Sequence, residues 1–142
     1  AVLAYALVDV MQARTASAWP VALGMSITDT LIVIVFTWLV LLVTGQPARL
    51  VQTLTALAGT GTLLGLLGMP LMLQASRVQH SGEPGAALVM GWLVLLIWNI
   101  TVQAHIFRHA LSSRYGIGLL VAGLHTVVAI VALNYFFPPA VG

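Results

Sequence analysis

The sequence predicts an all-α protein: a polytopic membrane bundle of four complete transmembrane helices, with the end of a fifth at the N-terminus. Three observations predict it. Of the 142 residues, 61% are hydrophobic and only 6% are charged, whereas a soluble domain carries about a quarter charged residues. Several apolar stretches exceed the roughly 18 residues that mark a spanning helix. Short polar breaks with Gly and Pro separate these stretches. Lipid offers no partner for a free backbone N–H, so the spans are helices and open strands are excluded.

Residues 1–12 are apolar and read as the end of a preceding helix; QARTASAWP then breaks the run. With no Met and no basic n-region at its start, the chain reads as a piece of a longer protein without a signal peptide. The first complete span covers about 20–44, with the core LIVIVFTWLVLLV and the stop signal GQP. The second covers about 50–73, is rich in Thr and Gly, and contains Pro70. That proline is expected to kink the helix or end its regular part. A polar loop follows over 75–85 (ASRVQHSGEPG). The third span covers about 86–107, and the fourth covers about 116–137, stopping at Pro138-Pro139. All of 1–142 reads as one transmembrane domain.

Arginines set the expected orientation. Arg49 lies in the turn after the first span, and Arg108 and Arg114 lie in the turn after the third. Arg14 and Arg77 fall on the opposite side. The bias of three against two places the short turns, with Arg49, Arg108 and Arg114, at the cytoplasmic interface. The expected location is the bacterial inner membrane, with the C-terminus outside. The arginines form no patch, so the basic balance is no argument for nucleic acid. The absence of Cys excludes disulfides and thiolate chemistry.

HIFRH, from His105 to His109, puts two histidines four apart on one helix face. A zinc protease of the H-E-x-x-H type needs Glu at the second position, which here is Ile106. Haem needs imidazoles facing one cavity. His125 offers another, but the offset in depth between His105 and His125 is roughly 12–15 Å at 1.5 Å per residue. The preferred reading is that His105, Arg108 and His109 are interfacial, with polar tips reaching headgroups and water.

Asp29 is the sharper anomaly, because an ionisable residue at depth costs roughly 2.5–3.5 kcal/mol on insertion scales. Asn99 and His125 have similar expected depth, which suggests a polar cluster Asp29–Asn99–His125. Its functional form is a proton- or ion-binding site. Its structural form, preferred here, is a neutral or paired Asp hydrogen-bonded inside the bundle. Gly61, Gly65 and Gly68 form a small-residue strip in the second span, and Gly118, Ala122 and Thr126 form one in the fourth. Such strips let helices approach closely in lipid. There is no P-loop, no paired carboxylate set and no rhomboid-type G-x-S-G around Ser26. The chain therefore reads as no enzyme, with no metal and no resident cofactor expected.

The run QPARLVQTLTALAGTGTLLGLLGMPL resembles the heart of Yip-type polytopic membrane proteins and their small bacterial relatives. The shared features are a basic turn, a Thr-rich helix and a helix-ending Pro. WNITVQAHIFRHALSSRYGIGLLVAGL resembles the later part of that family. The resemblance covers roughly 30–135. It implies five spans, an outward C-terminus and action through protein partners, and it implies no catalytic residue.

Three functions are weighed. The first, preferred, is a non-enzymatic accessory or scaffold subunit that packs against a larger membrane complex, with the bilayer and other membrane subunits as partners. The second is a small proton- or ion-linked transporter around Asp29 and His125. The third is a haem- or pigment-binding subunit that uses His105, His109 or His125.

Overall fold

The computed structural model describes residues 19–78 and 85–138, and every regular element among them is helical. The helices are α1 (Trp19–Val43), α2 (Leu50–Val78), α3 (Ala86–Ala110) and α4 (Tyr115–Phe136), with a short 3₁₀ turn, Pro47–Arg49, before α2. At 1.5 Å per residue the shortest, α4, is about 33 Å long and exceeds the roughly 30 Å hydrocarbon core. All four are long and apolar enough to cross a membrane. The expected N-terminal stub, with Asp9 and Arg14, and the loop residue Glu83 lie outside the described residues.

The helices close an antiparallel ring. The α3–α4 interface is the most extensive, α2–α3 comes next, and α1 touches α2 and α4 more lightly. Leu57, Ala104, Phe107 and Ala122 form the buried centre, with Val33, Phe36, Ile100, Ile106 and Val121 against it. Phe36 meets Phe107 edge-on at 6.3 Å between ring centroids.

The pattern along α1 is reversed relative to a soluble helix. Ile27, Leu31, Val35, Trp38 and Leu42 recur at helical spacing and are exposed. Ser26, Thr37 and Leu41 are buried on the opposite side. Lipid solvates the apolar stripe, so the small polar side chains turn inward, away from it.

Both short turns end their helices in the same way. After α1, Gly45 has φ +72°. Its N–H donates to Leu42 O (3.1 Å) and that of Gln46 donates to Leu41 O (2.8 Å). After α3, Ser112 has φ +48°. Its N–H donates to His109 O (3.3 Å) and that of Ser113 donates to Arg108 O (3.0 Å). Each is a Schellman ending, which satisfies carbonyls the helix leaves open. Glycine supplies the left-handed residue in one turn and serine in the other.

Two boundaries differ from expectation. Helix α2 does not end its regular part at Pro70: it continues to Val78, past the limit expected at 73. Proline costs one backbone hydrogen bond, which a helix packed in a bundle tolerates. The first residues of the expected 75–85 loop are therefore the last turn of α2. Helix α3 likewise runs to Ala110 rather than 107, so His109 is a helical residue.

Candidate functional site

A polar chain crosses the interior between α3 and α4. Gln103 Nε2 donates to Asn99 Oδ1 (3.0 Å), one turn earlier on α3. Gln103 Oε1 then lies 2.9 Å from His125 Nδ1 on α4. An amide oxygen can only accept, so His125 carries its proton on Nδ1. The imidazole is 5% exposed and rests 5.1 Å from the Phe36 ring. Its Nε2 is buried without a hydrogen-bond partner, as are the hydroxyls of Thr30 and Thr37 on α1. Asp29 lies within electrostatic range of His125.

Of the expected cluster Asp29–Asn99–His125, the hydrogen bonds join Asn99 and His125, through Gln103. Asp29 approaches from α1. Sequence reading missed Gln103. Its signal was present: Asn99 and Gln103 stand four apart, and antiparallel pairing brings that face of α3 level with His125.

This polar chain borders a cavity of ≈ 280 Å³ between α2 and α3. Asn99, Gln103, His125 and Thr60 contribute its polar lining, and Gly61, Gly65 and Gly68 contribute the α2 side. The glycine strip of α2 therefore borders open space. The strip of α4 is packed. A Cβ on Gly118 would collide with the Ala104 carbonyl oxygen and lie 2.9 Å from Arg108 N. Ala122 and Ala104 are fully buried at the same interface. Thr126 returns its hydroxyl to Ala122 O at 3.0 Å.

The histidines divide into two places. His105 and His109 are exposed at the end of α3, with their Nε2 atoms 3.1 Å apart. At 100° per residue, His105 points roughly 200° away from Gln103 around the helix. His125 shares the Gln103 face, so the structure does not bring His105 or His109 to it.

The three arginines of the short turns also separate. Arg108 and Arg114 are exposed. Arg49 instead turns onto the end of α3: its Nη1 donates to His109 O (2.8 Å), Ala110 O (3.1 Å) and Ser112 Oγ (2.7 Å). Two N–H groups serve three oxygens, so at least one proton is shared. The guanidinium caps the negative end of a helix to which it is not adjacent in sequence.

Among the described residues no group of three or more His, Cys, Asp or Glu is placed to hold a metal ion. Compared with protein-family models, curated proteins and solved structures, the chain matches none.

Proposed function

We propose that the protein is a non-enzymatic integral membrane subunit that receives a transmembrane helix of a partner in the groove between α2 and α3. One observation carries this reading: Gly61, Gly65 and Gly68 line unfilled space opposite Asn99, Gln103 and His125. Hydrocarbon tails offer those polar groups nothing, whereas a helix can present Ser, Thr or Asn side chains to them. Three glycines at helical spacing let a second backbone come close. In this reading the turns bearing Arg49, Arg108 and Arg114 lie in the cytoplasm of a bacterium and the C-terminus lies outside. Relationship to the Yip-type family belongs to the same proposal, supported by QTLTALAG and HIFRHAL.

Photo-crosslinking in the original membrane tests it. A photoreactive residue at Leu64 or Leu96, both lining the cavity, is expected to give a discrete adduct with one protein. The same residue at exposed Leu120 is expected to give lipid adducts. Lipid adducts alone from all three positions would reject the proposal.

Proton- or ion-linked transport is the second reading, favoured by Asp29 standing in range of a buried His125 whose Nε2 has no partner. It predicts that Asp29→Asn abolishes flux in proteoliposomes while the protein still folds. Unchanged flux would end it.

A further inference from the structure

His105 and His109 do something the interior site does not use: they converge. The two stand one helical turn apart on an exposed face. Their ring centroids are 4.6 Å apart and their Nε2 atoms are 3.1 Å apart. We propose that this pair is a two-imidazole chelate for a divalent first-row transition metal, held at the end of the bundle where Arg49 caps α3.

The geometry carries the inference. With metal–nitrogen bonds of 2.0–2.1 Å, a 3.1 Å separation closes an N–M–N angle of about 98°. That value lies between the octahedral and tetrahedral angles, so neither ring has to swing far to take the ion. The helix already supplies the ordering that a chelate otherwise costs. Neutral imidazole suits Zn²⁺, Cu²⁺ and Ni²⁺. The negative end of the α3 dipole favours a cation there.

Two features limit the site to an open, exchangeable one. No third His, Cys, Asp or Glu joins the pair among the described residues, so water or a phosphate oxygen fills the remaining positions. Arg108 on the same helix, and Arg49 on the His109 carbonyl, add positive charge that opposes tight binding. Without metal, one ring donates Nε2–H to the other. In the chelate both rings carry their proton on Nδ1 and both Nε2 lone pairs face the ion. The proposal is independent of the helix-docking reading, since the pair lies away from the groove.

The test uses the full chain in detergent, stripped of metal. Titration with Cu²⁺ is followed by electron paramagnetic resonance, and titration with Zn²⁺ by calorimetry. The expected result is one ion per chain, with two-nitrogen hyperfine structure on copper. His105→Ala and His109→Ala should each weaken uptake by at least about tenfold, because each removes the intramolecular second ligand. Both side chains are exposed, so helical content and elution volume should not change. Gly116→Ala, with nothing near its Cβ, should bind as the parent does. Absence of uptake by the parent chain, or uptake that survives both histidine substitutions, would overturn the proposal.

Discussion

Arg49 Nη1 lies 2.8 Å from the carbonyl oxygen of His109, sixty residues further along the chain. This bond ties the α1–α2 hairpin to the α3–α4 hairpin at one end of the bundle. It adds a charged donor to the end of α3, where the His109 carbonyl also accepts the Ser112 N–H, and charge-assisted bonds of this kind are among the stronger ones. Removing it leaves the end of α3 held by its Schellman bonds alone. Arg49→Ala is therefore expected to lower stability by about 1–3 kcal/mol. Thermal unfolding in detergent measures it. Because Lys presents a point charge rather than a planar fork, Arg49→Lys should recover part of the loss and not all of it. An alanine variant as stable as the parent would show that the cap contributes nothing.

Gly118 is a point of close backbone approach in the α3–α4 interface. A methyl group there meets the Ala104 carbonyl oxygen and the Arg108 main chain. Backbone atoms cannot rotate aside, so the helices must separate. Gly118→Ala should cost about 1–3 kcal/mol. Gly116 and Gly123 flank it on the same helix with open space at their Cβ positions. Alanine at either should be neutral or slightly stabilising. Unfolding midpoints of the three variants, compared side by side, decide the matter; equal midpoints would contradict the close packing.

Gln103 and His125 are expected to behave as a unit. Gln103→Leu strips the acceptor from a buried imidazole N–H and should destabilise by about 1–3 kcal/mol. Replacing both partners with apolar groups, Gln103→Leu with His125→Phe, removes the demand together with the supply. The double variant should lose less than the sum of the two single changes. An additive result in the mutant cycle would mean that the 2.9 Å contact carries no coupling.

Ser112 holds a left-handed backbone that glycine adopts freely. Ser112→Gly relieves that strain and gives up one of the three acceptors of Arg49. The two carbonyl acceptors remain, so the expected outcome is a gain of less than about 1 kcal/mol. A clear loss in the unfolding midpoint would make the serine hydroxyl the dominant contact of the guanidinium.

The spans were legible because lipid leaves so few choices: an apolar run of sufficient length must be a helix, and GQP and Pro138 mark where two of them stop. Pro70 was less legible. Its missing N–H predicts a break in isolation, but neighbouring helices hold α2 together past it. Arg49 read only as an arginine of the cytoplasmic interface, because two of its three acceptors are main-chain carbonyls, which leave no mark in a sequence. The glycine strips of α2 and α4 look alike as letters. Only the placement of Ala104 and Arg108 against Gly118 separates a filled seam from one bordering a cavity. Asp29, Asn99 and His125 were recognisable as polar residues within apolar runs. Gln103 was overlooked because a glutamine near a helix end usually reads as interfacial.

The measurement that bears most directly on the central claim is native mass spectrometry after gentle extraction from the original membrane. It is made on the parent chain and on Gly61→Leu, which places a large side chain in the α2–α3 groove. With the parent, a co-released protein subunit at fixed stoichiometry is expected. From Gly61→Leu, whose helical content and elution remain those of a folded chain, that subunit is expected to be lost. A parent released bare or with lipid alone, or a subunit retained by a folded Gly61→Leu, would contradict the claim.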